Sequence, residues 1–196
     1  LPGPWDAGRL PLRRLQVEAS GQPDQTDRLT LQRFDLLLGD AAGPAGRVRG
    51  DGDWQGTSLA LRLQAEALQP ARLHRHAAPV LLDGPLTLQV RGLPTSAAPA
   101  GAPVVAIDGT LTGRWTGAGS TPSVQLRLAG EASARHLLIT QAEARSRPPG
   151  TDNQPGRAAI ARLSGRADVQ GSGWRIAGQA TLTDFDPRPW WRGAEG

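Results

Sequence analysis

Polar and apolar residues alternate along most of this chain, and glycine-rich turns separate the alternating segments. The clearest example runs from Arg162 to Leu182, where two alternating arms flank the turn at residues 171–173. Successive side chains of a strand point to opposite faces, so each arm carries small or apolar side chains on one face and polar ones on the other. The pattern predicts a β-hairpin with strands at about 161–170 and 174–183.

Two earlier segments repeat this hairpin pattern. The first predicts strands at about 47–55 and 58–67, and the second predicts strands at about 105–115 and 124–134. A tryptophan stands beside the turn in every copy: Trp54, Trp115 and Trp174. Because aromatic rings bury a large area, we expect all three on the apolar face and partly buried.

The segments that follow the first and third hairpins also resemble each other. Residues 68–75 align with residues 185–192, and a proline near the start of each predicts a short helix or loop that leaves the hairpin. Further upstream, residues 9–17 resemble residues 28–36, and in both the alternation changes phase between the second and third apolar residue. Such a shift predicts a β-bulge, and Pro11 suits an edge or bulge position.

Together these patterns predict an all-β fold: one elongated, repetitive antiparallel sheet over residues 1–196, with an open apolar groove. Two Pro/Gly-rich stretches, at about 93–103 and 147–157, are predicted to be long, exposed, mobile loops within this array. A hydrophobic content of 38% and an aromatic content of 4% are low for a closed globule of 196 residues. An uncovered apolar face of several strands must meet more protein or lipid.

Composition narrows the classes of function. All 22 basic residues are arginine, which is typical of a GC-rich genome, and they alternate with polar residues where nucleic-acid proteins cluster them. The net charge of +4 is mild, so no nucleic-acid partner is expected. Cys is absent, and Met is absent even at position 1, which favours an internal fragment of a longer chain. No apolar run approaches the roughly 20 residues of a membrane span, and no signal peptide is present.

Motifs with catalytic or metal chemistry are weak. His74 and His76 have metal-ligand spacing, but no carboxylate or cysteine cluster accompanies them. Asp51 and Asp53 fall on the polar phase of a predicted strand, which favours a solvated face. The chain has no Gly-x-Ser-x-Gly elbow and no pair of carboxylates in clearly different environments. We therefore predict no enzyme, no metal site and no cofactor.

Small residues recur on the apolar phase of the predicted strands, among them Gly50, Gly52, Gly109, Gly113 and Gly165. Glycine weakens a strand unless strong curvature or a close approach requires it. These glycines either permit the sheet to twist and coil or keep a groove open for an apolar ligand. The two interpretations are compatible, because a coiled sheet forms a groove.

The order of strand, glycine turn, strand and then Leu/Phe-Asp/Gln-Pro resembles the AsmA-like family of Gram-negative envelope proteins, and most of all its TamB members, the translocation and assembly module subunits. Residues 48–73 and 163–191 carry the resemblance, with residues 180–191 the most specific. It implies a U-shaped sheet, the β-taco, with a hydrophobic groove in the periplasm. It also implies a parent protein anchored to the inner membrane, and roles in phospholipid movement and outer-membrane protein assembly.

We therefore expect a fragment of a periplasm-spanning protein whose β-groove shields or conducts phospholipid between the inner and outer membranes. Its partners would be phospholipid acyl chains, the remainder of the same long chain and outer-membrane assembly proteins. The predicted lipid-groove residues are Leu59, Leu61, Leu63, Ile107, Leu111, Val124, Leu126, Leu128, Val169, Ile176 and Leu182. One alternative is a structural or chaperone-like module that receives client strands at exposed edges. A glycan-processing enzyme on a β-solenoid is disfavoured by the lack of paired acids.

Overall fold

Ten strands form one antiparallel sheet, and their spatial order is their order in the chain. The structure is a computed structural model that describes residues 3–22, 24, 27–93, 102–116, 122–147, 158–171, 173–186 and 190. The strands are β1 (Leu12–Ser20), β2 (Arg28–Asp40), β3 (Gly43–Gln55), β4 (Ser58–Leu68), β5 (Val80–Arg91), β6 (Val104–Trp115), β7 (Ser123–Ser133), β8 (His136–Arg147), β9 (Ala159–Gln170) and β10 (Gly173–Thr183). The all-β, antiparallel fold class is confirmed.

The three predicted hairpins are present. They are the pairs β3–β4, β6–β7 and β9–β10, and each strand begins and ends within a few residues of its predicted bounds. The upstream alternating segments form β1 and β2, while β5 and β8 join neighbouring hairpins into a continuous sheet.

The two predicted phase shifts are β-bulges. The β1–β2 ladder shifts register between Leu12 and Arg14, and the β2–β3 ladder shifts between Leu31 and Phe34. An extra residue in one strand restores the apolar side chains to a common face, because a slip of one residue would otherwise reverse them. Pro11 lies immediately before the edge strand β1, where its missing N–H costs no ladder hydrogen bond.

The segment after the first hairpin contains the predicted short helix, α1 (Pro70–Leu73), with Pro70 at its first position. A second short element, a 3₁₀ helix over Trp5–Ala7, precedes β1. Arg75, two residues after α1, forms an ion pair with Asp6 of the 3₁₀ helix (Nε–Oδ2 2.7 Å). Most of the matching segment 185–192, and most of the predicted loops 93–103 and 147–157, lie outside the described residues.

The sheet stays open, and within the described ranges β1 and β10 each have a strand partner on one side only. The chain exposes 12475 Å² of accessible surface. A compact monomer of this mass would expose about 8,900 Å². The excess follows from a single layer of strands with no second layer across it among the described elements.

A small core lies at one end of the sheet. Its members are Ala78, Val80, Leu82 and Val124, from the segment before β5 and from β5 and β7. Val124 is only 2% exposed, although it belongs to a single-layer sheet. Something other than a second sheet therefore covers this end, as described below.

Candidate functional site

One face of the sheet is apolar across all ten strands. Residues directly opposite each other in a ladder share a face, so the register assigns each side chain to a side. In one row that crosses all ten strands, from β1 to β10, the aligned residues are Ala19, Leu31, Gly52, Leu61, Leu88, Ile107, Gly130, Ile139, Gly165 and Gly178. Among the paired residues on this side of β3 to β10, Ser146 is the single polar one. We call this surface the apolar face.

All eleven predicted groove residues lie on the apolar face. The register pairs Leu59, Leu61 and Leu63 of β4 with Val90, Leu88 and Leu86 of β5. It pairs Leu111 of β6 with Leu126 of β7. The remaining candidates follow the same alternation, with Val169 of β9 opposite Trp174 of β10.

The sequence prediction did not include several other large apolar residues that lie on the same face. They come from β2, β5, β8 and β9 and include Phe34, Leu36, Leu86, Leu88, Val90, Leu137, Ile139 and Leu163. The alternation Leu86, Leu88, Val90 was a readable signal in β5. In β8 a register shift between Ile139 and Ala142 breaks the alternation and hides it.

Glycine and leucine interlock on the apolar face. A Cβ built on Gly52 would lie 2.6 Å from Cδ2 of Leu61, and one built on Gly50 would lie 2.9 Å from Cδ2 of Leu63. Each leucine therefore occupies the space that a side chain on the neighbouring strand would need. Such close approach explains how Leu61 is only 8% exposed in a single layer of strands.

The three tryptophans lie on the apolar face, as predicted. Trp54 is opposite Leu59, Trp115 is opposite Val80 and Trp174 is opposite Val169. The ring N–H of Trp115 donates to Oγ of Ser146 (3.4 Å), which gives the polar group on this face a partner. Trp54 and Trp115 are half-buried, whereas Trp174 is 55% exposed. Its burial is less than expected because β10 is an edge strand.

Exposure of the apolar face increases toward both edges of the sheet. Leu15 and Val17 of β1 are exposed, and Ile176 of β10 is 78% exposed. Leu128 and Leu163, in β7 and β9, are 40% and 45% exposed. Several strands thus present large apolar side chains to solvent on one continuous surface.

The opposite face, which we call the polar face, carries cross-strand ion pairs. Arg62 of β4 pairs with Asp51 of β3, and Arg162 of β9 pairs with Glu143 of β8, which also pairs with Arg145 along its own strand. Hydrogen bonds from Arg145 and then from Arg162 lower the pKa of Glu143 below its usual value. Opposite charges directly across a ladder stabilise the pairing and keep this face in water.

One carboxylate on the polar face is fully buried. Asp35 of β2 has 0% exposure and accepts a hydrogen bond from Nε of Arg47 (2.7 Å), with a second from Nη2. Those hydrogen bonds lower the pKa of Asp35 to about 2. The group is a structural ion pair between β2 and β3, since it lies on the face opposite the apolar surface.

The two remaining candidates for other chemistry are the His74–His76 pair, as metal ligands, and the helices, as membrane spans. The backbone N–H of His76 donates to Nδ1 of His74 (3.3 Å), so the two histidines contact each other in the connection after α1. Within the described ranges, no group of three His, Asp or Glu side chains is placed to hold a metal ion. The helices in that part of the chain are too short to cross a membrane.

Comparison with known proteins identifies no relative. No family model matches the chain, and neither the curated proteins nor the solved structures contain a match.

Proposed function

We propose that the apolar face shields or conducts phospholipid acyl chains, as part of a longer periplasmic protein that connects the inner and outer membranes. The observation that carries the proposal is the register itself: apolar side chains continue across ten strands, with one polar interruption from β3 to β10. A purely structural sheet of one layer would gain nothing from an uninterrupted apolar surface that faces water.

The dimensions support acyl chains as the occupant. Ten strands about 4.8 Å apart give a surface about 43 Å long, and the rows cover about 26 Å along each strand. The product, about 1,100 Å², is roughly twice the largest apolar patch of an ordinary soluble monomer. One acyl chain spans about 15 Å, half of a bilayer's hydrocarbon core, so the surface is longer than the ligand.

Passive movement along such a surface requires no catalysis. Each methylene that leaves water for the apolar face gains about 0.8 kcal/mol. Because rows of equivalent residues recur from strand to strand, a chain that slides by one strand exchanges one set of apolar contacts for a similar set. The glycines between the leucines carry no side chain, so they leave shallow depressions in the apolar face. The arginine-rich polar face remains in water.

Site-specific photocrosslinking tests this proposal. A photoreactive residue replaces Leu128 in one variant and its polar-face neighbour Arg127 in another; both positions are exposed. Incubation with liposomes of phosphatidylethanolamine and phosphatidylglycerol should label position 128 at least fivefold more than position 127. Equal labelling at the two positions, or labelling at neither, would refute the acyl-chain proposal.

A chaperone-like module for outer-membrane protein assembly is the second candidate, and the exposed edges favour it. Every residue of β10 is exposed, and its outer backbone edge is available for an added strand within the described ranges. In the same crosslinking assay, a photoreactive residue at Gln179 on β10 would capture a peptide from an outer-membrane β-barrel strand. Peptide capture there, without lipid labelling at position 128, would favour this candidate.

A further inference from the structure

Partly buried apolar side chains pack over the buried core, and the one that comes from beyond the last strand is Trp190. Trp190 packs against the cluster of Ala78, Val80, Leu82 and Val124. Its ring meets Trp115 edge-on, with centroids 5.1 Å apart, and stacks on Phe185 with centroids 5.4 Å apart. Trp190 follows β10, whereas Trp115 ends β6, so the contact spans several strands.

This packing accounts for an uneven pattern of burial. Val124 is 2% exposed, but Leu128, two positions further along the same face of β7, is 40% exposed. Two predicted groove residues, Leu111 and Leu126, also pack against the covered cluster and are half-buried. Trp190 is thus an apolar group of the chain itself that packs on the surface proposed for acyl chains.

We propose that Trp190 is an intramolecular competitor of lipid at the β6–β7 part of the apolar face, and that an acyl chain binds there by displacing it. The inference rests on the proposed lipid-binding function. Trp190 is held by ring contacts with Phe185 and Trp115, and it lies outside the ten strands. A ring held in this way can leave without disturbing a strand.

Competition of this kind has a defined magnitude. When a site is free for only a fraction of the time, its apparent Kd is raised by the inverse of that fraction. If Trp190 covers the cluster about nine-tenths of the time, its removal strengthens lipid binding there about tenfold. Binding at parts of the face remote from Trp190 should stay unchanged.

The test combines Trp190→Ala with photoreactive residues at two positions on the apolar face, in the full chain. Position 126 packs at the covered cluster, and position 163, on β9, is exposed and outside it. With the same phosphatidylethanolamine and phosphatidylglycerol liposomes, Trp190→Ala should raise labelling at 126 about tenfold and leave labelling at 163 within twofold. Trp5→Ala, which removes an exposed tryptophan from the 3₁₀ helix outside the sheet, is the matched control and should change neither position.

A second variant protects the test against misfolding. Phe185→Ala removes the stacking partner, leaves Trp190 in place, and should raise labelling at 126 by about threefold. Unchanged or weaker labelling at 126 in both variants, with position 163 still labelled, would overturn the competition while leaving lipid binding intact. An absence of labelling at both positions in the parent chain and in both variants would overturn the proposed function together with the competition.

Discussion

Gly113→Ala provides a direct test of the close strand approach on the apolar face. Gly113 of β6 lies opposite Leu82 of β5. A Cβ at position 113 would overlap the carbonyl oxygen of Leu81 by more than about 1 Å, relative to the 3.0 Å that real Cβ contacts respect. The obstacle is backbone, so no side chain can rotate away, and β5 and β6 must separate locally.

The cost follows from that geometry. Forcing a methyl group into packed structure costs about 1–3 kcal/mol. Alanine also restricts the unfolded chain, which offsets about 0.4–1 kcal/mol of this cost. We expect a net loss of about 1–2 kcal/mol in the free energy of unfolding, or a Tm lower by about 2–8 °C for a chain of this size.

Gly173→Ala is the matched control, because no atom lies within 4 Å of a Cβ built there. Urea unfolding followed by circular dichroism should show this variant as stable as the parent or slightly more stable. The reasoning would be refuted if Gly113→Ala and Gly173→Ala had the same urea midpoint. The difference in backbone entropy between glycine and alanine would then explain both variants, without any steric overlap at position 113.

Two further predictions concern the two faces of the sheet. Leu128→Asp places a charge on the apolar face and should reduce phospholipid crosslinking from position 163 at least fivefold. Gln125→Asp makes the same charge change on the polar face and should leave that crosslinking unchanged. Equal losses in the two variants would argue against lipid binding on the apolar face alone. Asp35→Asn should destabilise the fold at neutral pH, because it removes the buried charge that pairs with half-buried Arg47. The pKa of Asp35 is lowered from 3.8 to about 2, so ionised Asp35 favours folding above about pH 4, and this contribution is lost as the pH falls toward 2. The difference in urea midpoint between Asp35→Asn and the parent should therefore be largest above pH 5 and shrink by pH 2.5. A pH-independent difference, or an equal one for Asp51→Asn in the exposed pair with Arg62, would contradict this account.

Local signals explain why the hairpins were predictable. Alternation and a glycine turn are both encoded within about 20 residues, so β3–β4, β6–β7 and β9–β10 follow from short segments. The bulges in β1 and β2 were also predictable from the sequence, because each one shifts the alternation of apolar and polar residues by one position. β8 was missed since its own register shift interrupts the alternation.

The covered core was beyond sequence prediction for a different reason. Trp190 is 75 positions away from Trp115, and no periodic pattern links a residue after β10 to the end of β6. Their contact is a tertiary one between distant segments, and local alternation carries no information about it. Asp35 likewise pairs with Arg33 of its own strand and with Arg47 of β3, and the alternation within β2 does not reveal the contact with β3.

The strictly sequential strand order has a consequence for how this protein folds. Each strand pairs with the strand made just before it, so no segment has to wait for a partner encoded far downstream. Closing a short loop costs little entropy, and pairing can proceed strand by strand. Stability then accumulates as a series of neighbour interfaces, as in other linear arrays. A chain that emerges N-terminus first into a new compartment can complete β1–β2 and extend the sheet as it arrives, with the newest strand always serving as the template for the next.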